Sequence, residues 1–197
     1  MPEATYSIDR DLSEAQAFAD HLVPYVYEGE LYGTIGGMFA SGSMPRLTLG
    51  GLLQRLHQLH ALEDQLTPEQ KTQLAEIDAK TESVRQEWMV HYNDKLLQEA
   101  NSRLKMIERF FDDCAEEPRT CAANYPLEAM RRTIVQVIVG TLTEPNAELN
   151  RVVSQVDTQL RRFTQPSEFI WATMLQPAYP PEAYWWLYAR PPSAPPR

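Results

Sequence analysis

Between Glu69 and Glu117 the chain carries neither glycine nor proline. No other feature restricts the fold as strongly. Read as one unbroken helix, such a run is about 70 Å long at roughly 1.5 Å rise per residue. Small domains are narrower than that, so the expected molecule is elongated around this segment. Thr67-Pro68-Glu69-Gln70 marks its start: Thr67 can cap, Pro68 fits the first turn, and Gln70 can reach back to the cap. Apolar positions follow at Leu74, Ile77, Val84 and Trp88, with Thr81 in the seam, and then at Tyr92, Leu96, Ala100, Leu104, Ile107, Phe111 and Cys114. The early steps alternate three and four, and those from Trp88 to Leu104 are all four. The seam therefore drifts around the helix like a stutter and lets the two halves face different neighbours. The outward positions, such as Lys71, Glu76, Lys80, Glu82 and Asp94, are charged and read as a solvated face.

The length suits a single helical domain over residues 1–197. The formal net charge of −9 argues against nucleic-acid binding, because phosphate backbones need a basic face. Arg131-Arg132 and Arg161-Arg162 are the arginine doublets, and both read as helix-end residues that complement the dipole. No run approaches the roughly 18 apolar residues that span a bilayer, and Met1-Pro2-Glu3 does not open like a signal peptide. The expectation is a cytoplasmic protein, without membrane partners, whose Cys114 and Cys121 are reduced thiols rather than a redox pair.

Ser13-Glu14-Ala15-Gln16 reads as a capping box for a first helix that stops at Pro24. Residues 25–51 hold seven of the eight glycines and form an irregular segment, with a small hairpin about Glu28-Gly29. Thr48 caps a helix through Leu66 with a leucine face, and the Leu66-Thr67-Pro68 junction folds it back on the long helix as a hairpin. Pro118 and Pro126 bracket a connection, and the next helix runs from about Leu127 to Leu142. Its Ile134–Val139 stretch is apolar nearly all round, which marks it as central. Pro145 begins a fifth helix, and Ser167 caps a short sixth around Phe169, Ile170 and Met174. Residues 177–197 form a proline-rich arm around Tyr184-Trp185-Trp186-Leu187-Tyr188.

Motifs for chemistry are weak. His57, His60 and Asp64 can share one helix face as metal ligands, but the hairpin offers only Glu76 and Asp78 opposite, and a closed ligand set is not expected. Gly33-Thr34-Ile35-Gly36-Gly37 lacks the Lys-Ser/Thr of a nucleotide loop. Ser41, Ser43 and Thr48 could at most hold a small anion at a helix start. No nucleophile elbow or triad order is present, and no cofactor is implied. The aromatic arm carries two readings. Its rings either meet a partner, where Trp and Tyr are enriched, or fill a groove on the chain itself. On the second reading one of Trp185 and Trp186 inserts while the other stays near the surface, because adjacent side chains diverge.

The sequence therefore reads as an all-α, elongated helical bundle with a long central helical hairpin and a Pro-rich aromatic C-terminal arm. The functional expectation is a non-enzymatic scaffold or protein-interaction protein, self-associating as a homodimer with Trp88, Tyr92 and Leu96 near the contact. Tyr184, Trp185, Trp186 and Tyr188 are the further interaction candidates. The alternative is a small-molecule-binding protein with its pocket under the Gly-rich segment and the arm. A metal-dependent enzyme on His57, His60 and Asp64 ranks last.

Overall fold

The computed structural model describes residues 6–33, 46–116 and 118–192. It is an all-α helical bundle with one tiny two-stranded sheet among these residues. The chain divides into two compact units, Ser7–Glu99 and Ala100–Arg197 with Met1–Tyr6.

In the first unit α1 spans Ile8–Asp20, and Ser7 starts it by accepting a 3.3 Å hydrogen bond from the Arg10 N–H. The expected box at Ser13 is not used, because Asp9 and Asp11 already support a start one residue after Ser7. Pro24 does not end the helical region. The chain kinks at His21 and resumes as α2, Leu22–Tyr27. Pro24 sits in the first turn of α2, where a missing N–H costs nothing. This helix takes the place of the expected hairpin: the Tyr25 hydroxyl donates to the Leu31 carbonyl, and Gly33 bridges to Leu47. Gly33 is needed there, since a Cβ would lie 2.9 Å from the Tyr25 ring. Residues 34–45 of the glycine block, with Ser41 and Ser43, lie outside the described residues.

Thr48 caps α3, Leu49–Ala61, through the Gly51 N–H, and the buried Glu99 carboxylate accepts from the Gly50 N–H at 2.8 Å. The helix ends five residues before the expected Leu66, where a short 3-10 turn over Glu63–Gln65 leads to the reversal. The capping box of Thr67 and Gln70 is present in full and opens α4, Pro68–Glu87. His60 meets Asp78 at 3.1 Å, which is the fold-back expected for α3 on α4. α1 packs on both helices and supplies Leu12, Ala15 and Phe18 to their shared core.

The glycine- and proline-free run is not one helix. Trp88 leaves helical geometry at φ −119° and ψ 29°, and α5 follows as Met89–Glu116. Its N–H still bonds to Val84, and its carbonyl still accepts from Tyr92. The break falls where the apolar spacing changes to uninterrupted fours.

In the second unit the later part of α5 is followed by α6, Pro118–Thr141, and α7, Ala147–Phe163. Three expectations about this stretch fail. Pro126 lies inside α6, not at its edge, and Arg131-Arg132 sits mid-helix. Cys114 and Cys121 are joined as a disulfide with Cα atoms 5.4 Å apart. The extra turns of α6 before Pro126 bring Cys121 back against the end of α5, within the span a disulfide bridges. Asn146, not Pro145, caps α7 by accepting from Leu149. No helix forms at Ser167. Gln165–Pro166, as β1, pairs antiparallel with Ala189–Arg190, as β2, and the Ser167 N–H donates to the Tyr188 carbonyl. No helix of the described residues is long and apolar enough to cross a membrane.

Candidate interaction surfaces

The arm packs on α6 through Trp186, which is 1% exposed. Its indole N–H donates to the Thr133 hydroxyl at 2.9 Å, and the Tyr125 hydroxyl donates to its carbonyl at 2.7 Å. The Arg132 guanidinium lies 4.1 Å from the Trp186 ring centre. Arg132 is itself fixed by a two-point pairing with Asp157 of α7, at 2.6 and 2.9 Å. Tyr184 and Tyr179 extend the ring cluster edge to face. Thus the paired tryptophans diverge as the sequence predicts: Trp186 inserts and Trp185 stays half-buried.

The exposed side of the arm borders a cleft of about 330 Å³ between Trp185, Tyr188 and the end of α7. Arg161 lies on its wall, stacked 4.0 Å from the Trp185 ring centre. This arginine is in the last turn of α7, as a helix-end residue should be, but the ring contact was not legible from that position.

In the first unit α2 and the break at Trp88 form an aromatic cluster. Tyr27 lies 4.3 Å from Trp88 and 5.9 Å from His91, ring centre to ring centre. Val23 and Tyr27, one turn apart on α2, and Met89 and Val90 beside Trp88 are exposed, Val90 to 66%. Of the residues expected at a self-contact, Tyr92 and Leu96 are 0% exposed within the chain and Trp88 is half-buried. Sequence reasoning followed the buried seam here and passed over Tyr27, Met89 and Val90, which sit outside its period.

His57, His60 and Asp64 are not assembled as a ligand set. His60 pairs with Asp78, Asp64 lies exposed in the turn after α3, and no group of three or more potential ligands is arranged for a metal among the described residues. Compared with known proteins, the chain matches no family model, no curated protein and no solved structure.

Proposed function

We propose that the chain is a non-catalytic helical protein-interaction module whose docking surface is the apolar patch of α2 and the start of α5. One observation carries the reading. Val23, Tyr27, Met89 and Val90 are four of the six large apolar side chains exposed among the described residues, and all four belong to these two stretches. The two stretches are joined by the Tyr27–Trp88 ring contact, and exposed apolar side chains concentrated in so small a part of the chain favour a contact surface over random scatter.

The patch is flanked in sequence by the exposed acids Glu28, Glu87 and Asp94. Two copies meeting about a twofold axis present the same patch to each other and so crowd these like charges. The favoured occupant is therefore an amphipathic helix of another protein, with an apolar face and basic flanks. The test uses a designed helix with a leucine face and lysine flanks, titrated into the full chain. Saturable binding is expected, weakened about tenfold or more by Val90→Asp or Tyr27→Asp, as for central contact residues. A sequence-scrambled peptide that binds equally well overturns the reading. A concentration-dependent dimer abolished by Val90→Asp transfers the patch to a second copy.

A further inference from the structure

The cleft beside the arm has three properties that converge on one ligand class. Its volume, about 330 Å³, lies at the lower end of the roughly 300–1,000 Å³ typical of small-molecule sites. Its walls are mostly flat and apolar: the Trp185 and Tyr188 rings with Pro166 and Pro181. Its cation is Arg161, whose guanidinium lies over the Trp185 face.

A guanidinium stacked on a ring still offers its N–H edge, and that fork matches the two oxygens of a carboxylate. In the described residues no carboxylate takes this edge. Elsewhere in this unit carboxylates do take such an edge: Arg132 pairs with Asp157 and Arg151 with Glu148. The Thr164 hydroxyl also lines the cleft, but it already donates to the Leu160 carbonyl, so it can serve a ligand only as an acceptor. Charge also sets the orientation. Glu182 acts on Tyr188, whose phenol is pushed above its usual range by burial and then by this acid. An anionic head is therefore disfavoured at the Tyr188 end and favoured at Arg161.

We propose that this cleft binds a small aryl carboxylate, with the carboxylate on the Arg161 guanidinium and the flat body against Trp185 between Pro166 and Pro181. The site is independent of the protein-docking patch and stands or falls without it.

Calorimetric titration of 2-naphthoate and the neutral 2-naphthamide into the full chain tests the assignment. The expected result is saturable binding of one naphthoate per chain, with naphthamide about tenfold weaker, the loss of one charge-assisted hydrogen bond. Arg161→Gln should bring naphthoate down to the level of the amide, while Arg161→Lys retains part of the preference. Trp185→Leu should weaken both compounds. Arg161 is exposed and Trp185 half-buried, so unchanged thermal midpoints are expected and separate lost binding from lost folding. Absence of saturable naphthoate binding into the millimolar range overturns the proposal, as does naphthoate affinity unchanged by Arg161→Gln in a folded variant.

Discussion

Tyr92 is 0% exposed, and its hydroxyl has no hydrogen-bond partner among the described residues. The indole N–H of Trp88, one turn earlier, is buried in the same condition. A buried polar group without a partner costs about 1–3 kcal/mol, so the two sit at the price of local stability. Tyr92→Phe keeps the ring and removes the hydroxyl. It should raise stability by about 1 kcal/mol in urea unfolding, and a loss of stability would reveal an unseen partner for the hydroxyl. Glu128 on α6 gives a pH-dependent counterpart. One carboxylate oxygen pairs with Arg131 and the other is buried without a partner. Burial holds its carboxyl above the usual carboxylate range, with Arg131 opposing. Because the folded pKa lies above the unfolded one, the fold binds the proton more tightly. The contribution is full below the ordinary glutamate value and is lost as pH rises through the raised one. Glu128→Gln should therefore flatten the fall in stability as pH rises above the ordinary glutamate value, measured as urea midpoints over a pH series. At this scale the sequence was legible where a rule is local. The divergence of Trp185 and Trp186 follows from adjacency, but Thr133 and Tyr125 lie 53 and 61 residues from Trp186, and no periodicity connects them.

Helix starts that rest on a cap followed by an apolar run, Thr48 and Thr67, were readable as written. Ser7 was missed because Ser13 offers the same chemistry one and a half turns inside the same helix, although Asp9 and Asp11 in the first turn favour the earlier start. The break at Trp88 was half legible. The change of spacing is in the sequence, but on its own it reads equally as a drifting seam. Pro126 was over-read. A proline inside a helix loses one hydrogen bond and clashes with the preceding turn, yet Ala122, Ala123 and Asn124 before it are exposed, so the carbonyls of that turn can reach water. The continued helix is what sets Cys121 against Cys114. Closing so short a loop should stabilise by about 2 kcal/mol through the unfolded state. The Cys114→Ser, Cys121→Ser double variant should show an unfolding free energy lower by that amount in urea titration, and dithiothreitol should lower the wild-type midpoint as well. A midpoint insensitive to reductant, with two titratable thiols in the unreduced protein, would mean that the pair does not form.

For the molecule as a whole, the all-α class followed from helical periodicity across most of the length, whereas the division of the chain into two compact units did not, because the boundary falls inside α5, where the sequence carries no linker. The arm is the part whose role can be tested at this scale. Tyr184, Trp186 and Leu187 are buried and each removes large apolar area from water, worth about 1.5–3 kcal/mol per side chain. Trp186 also supplies the acceptor of Tyr125 and the donor to Thr133, so removing it leaves buried polar groups on α6. Arg132 loses the ring that covers it but keeps Asp157. Deleting residues from Pro180 onward should accordingly lower stability by several kcal/mol, a large fraction of the roughly 5–15 kcal/mol of a typical domain. The truncated chain should bind an apolar dye, and in the intact chain the Trp186 emission, isolated in a variant with the other tryptophans replaced by phenylalanine, should be that of a water-shielded indole. An unchanged urea midpoint on deletion, together with water-exposed emission from Trp186, would make the arm a free tail instead of a structural element of the unit that contains α6 and α7.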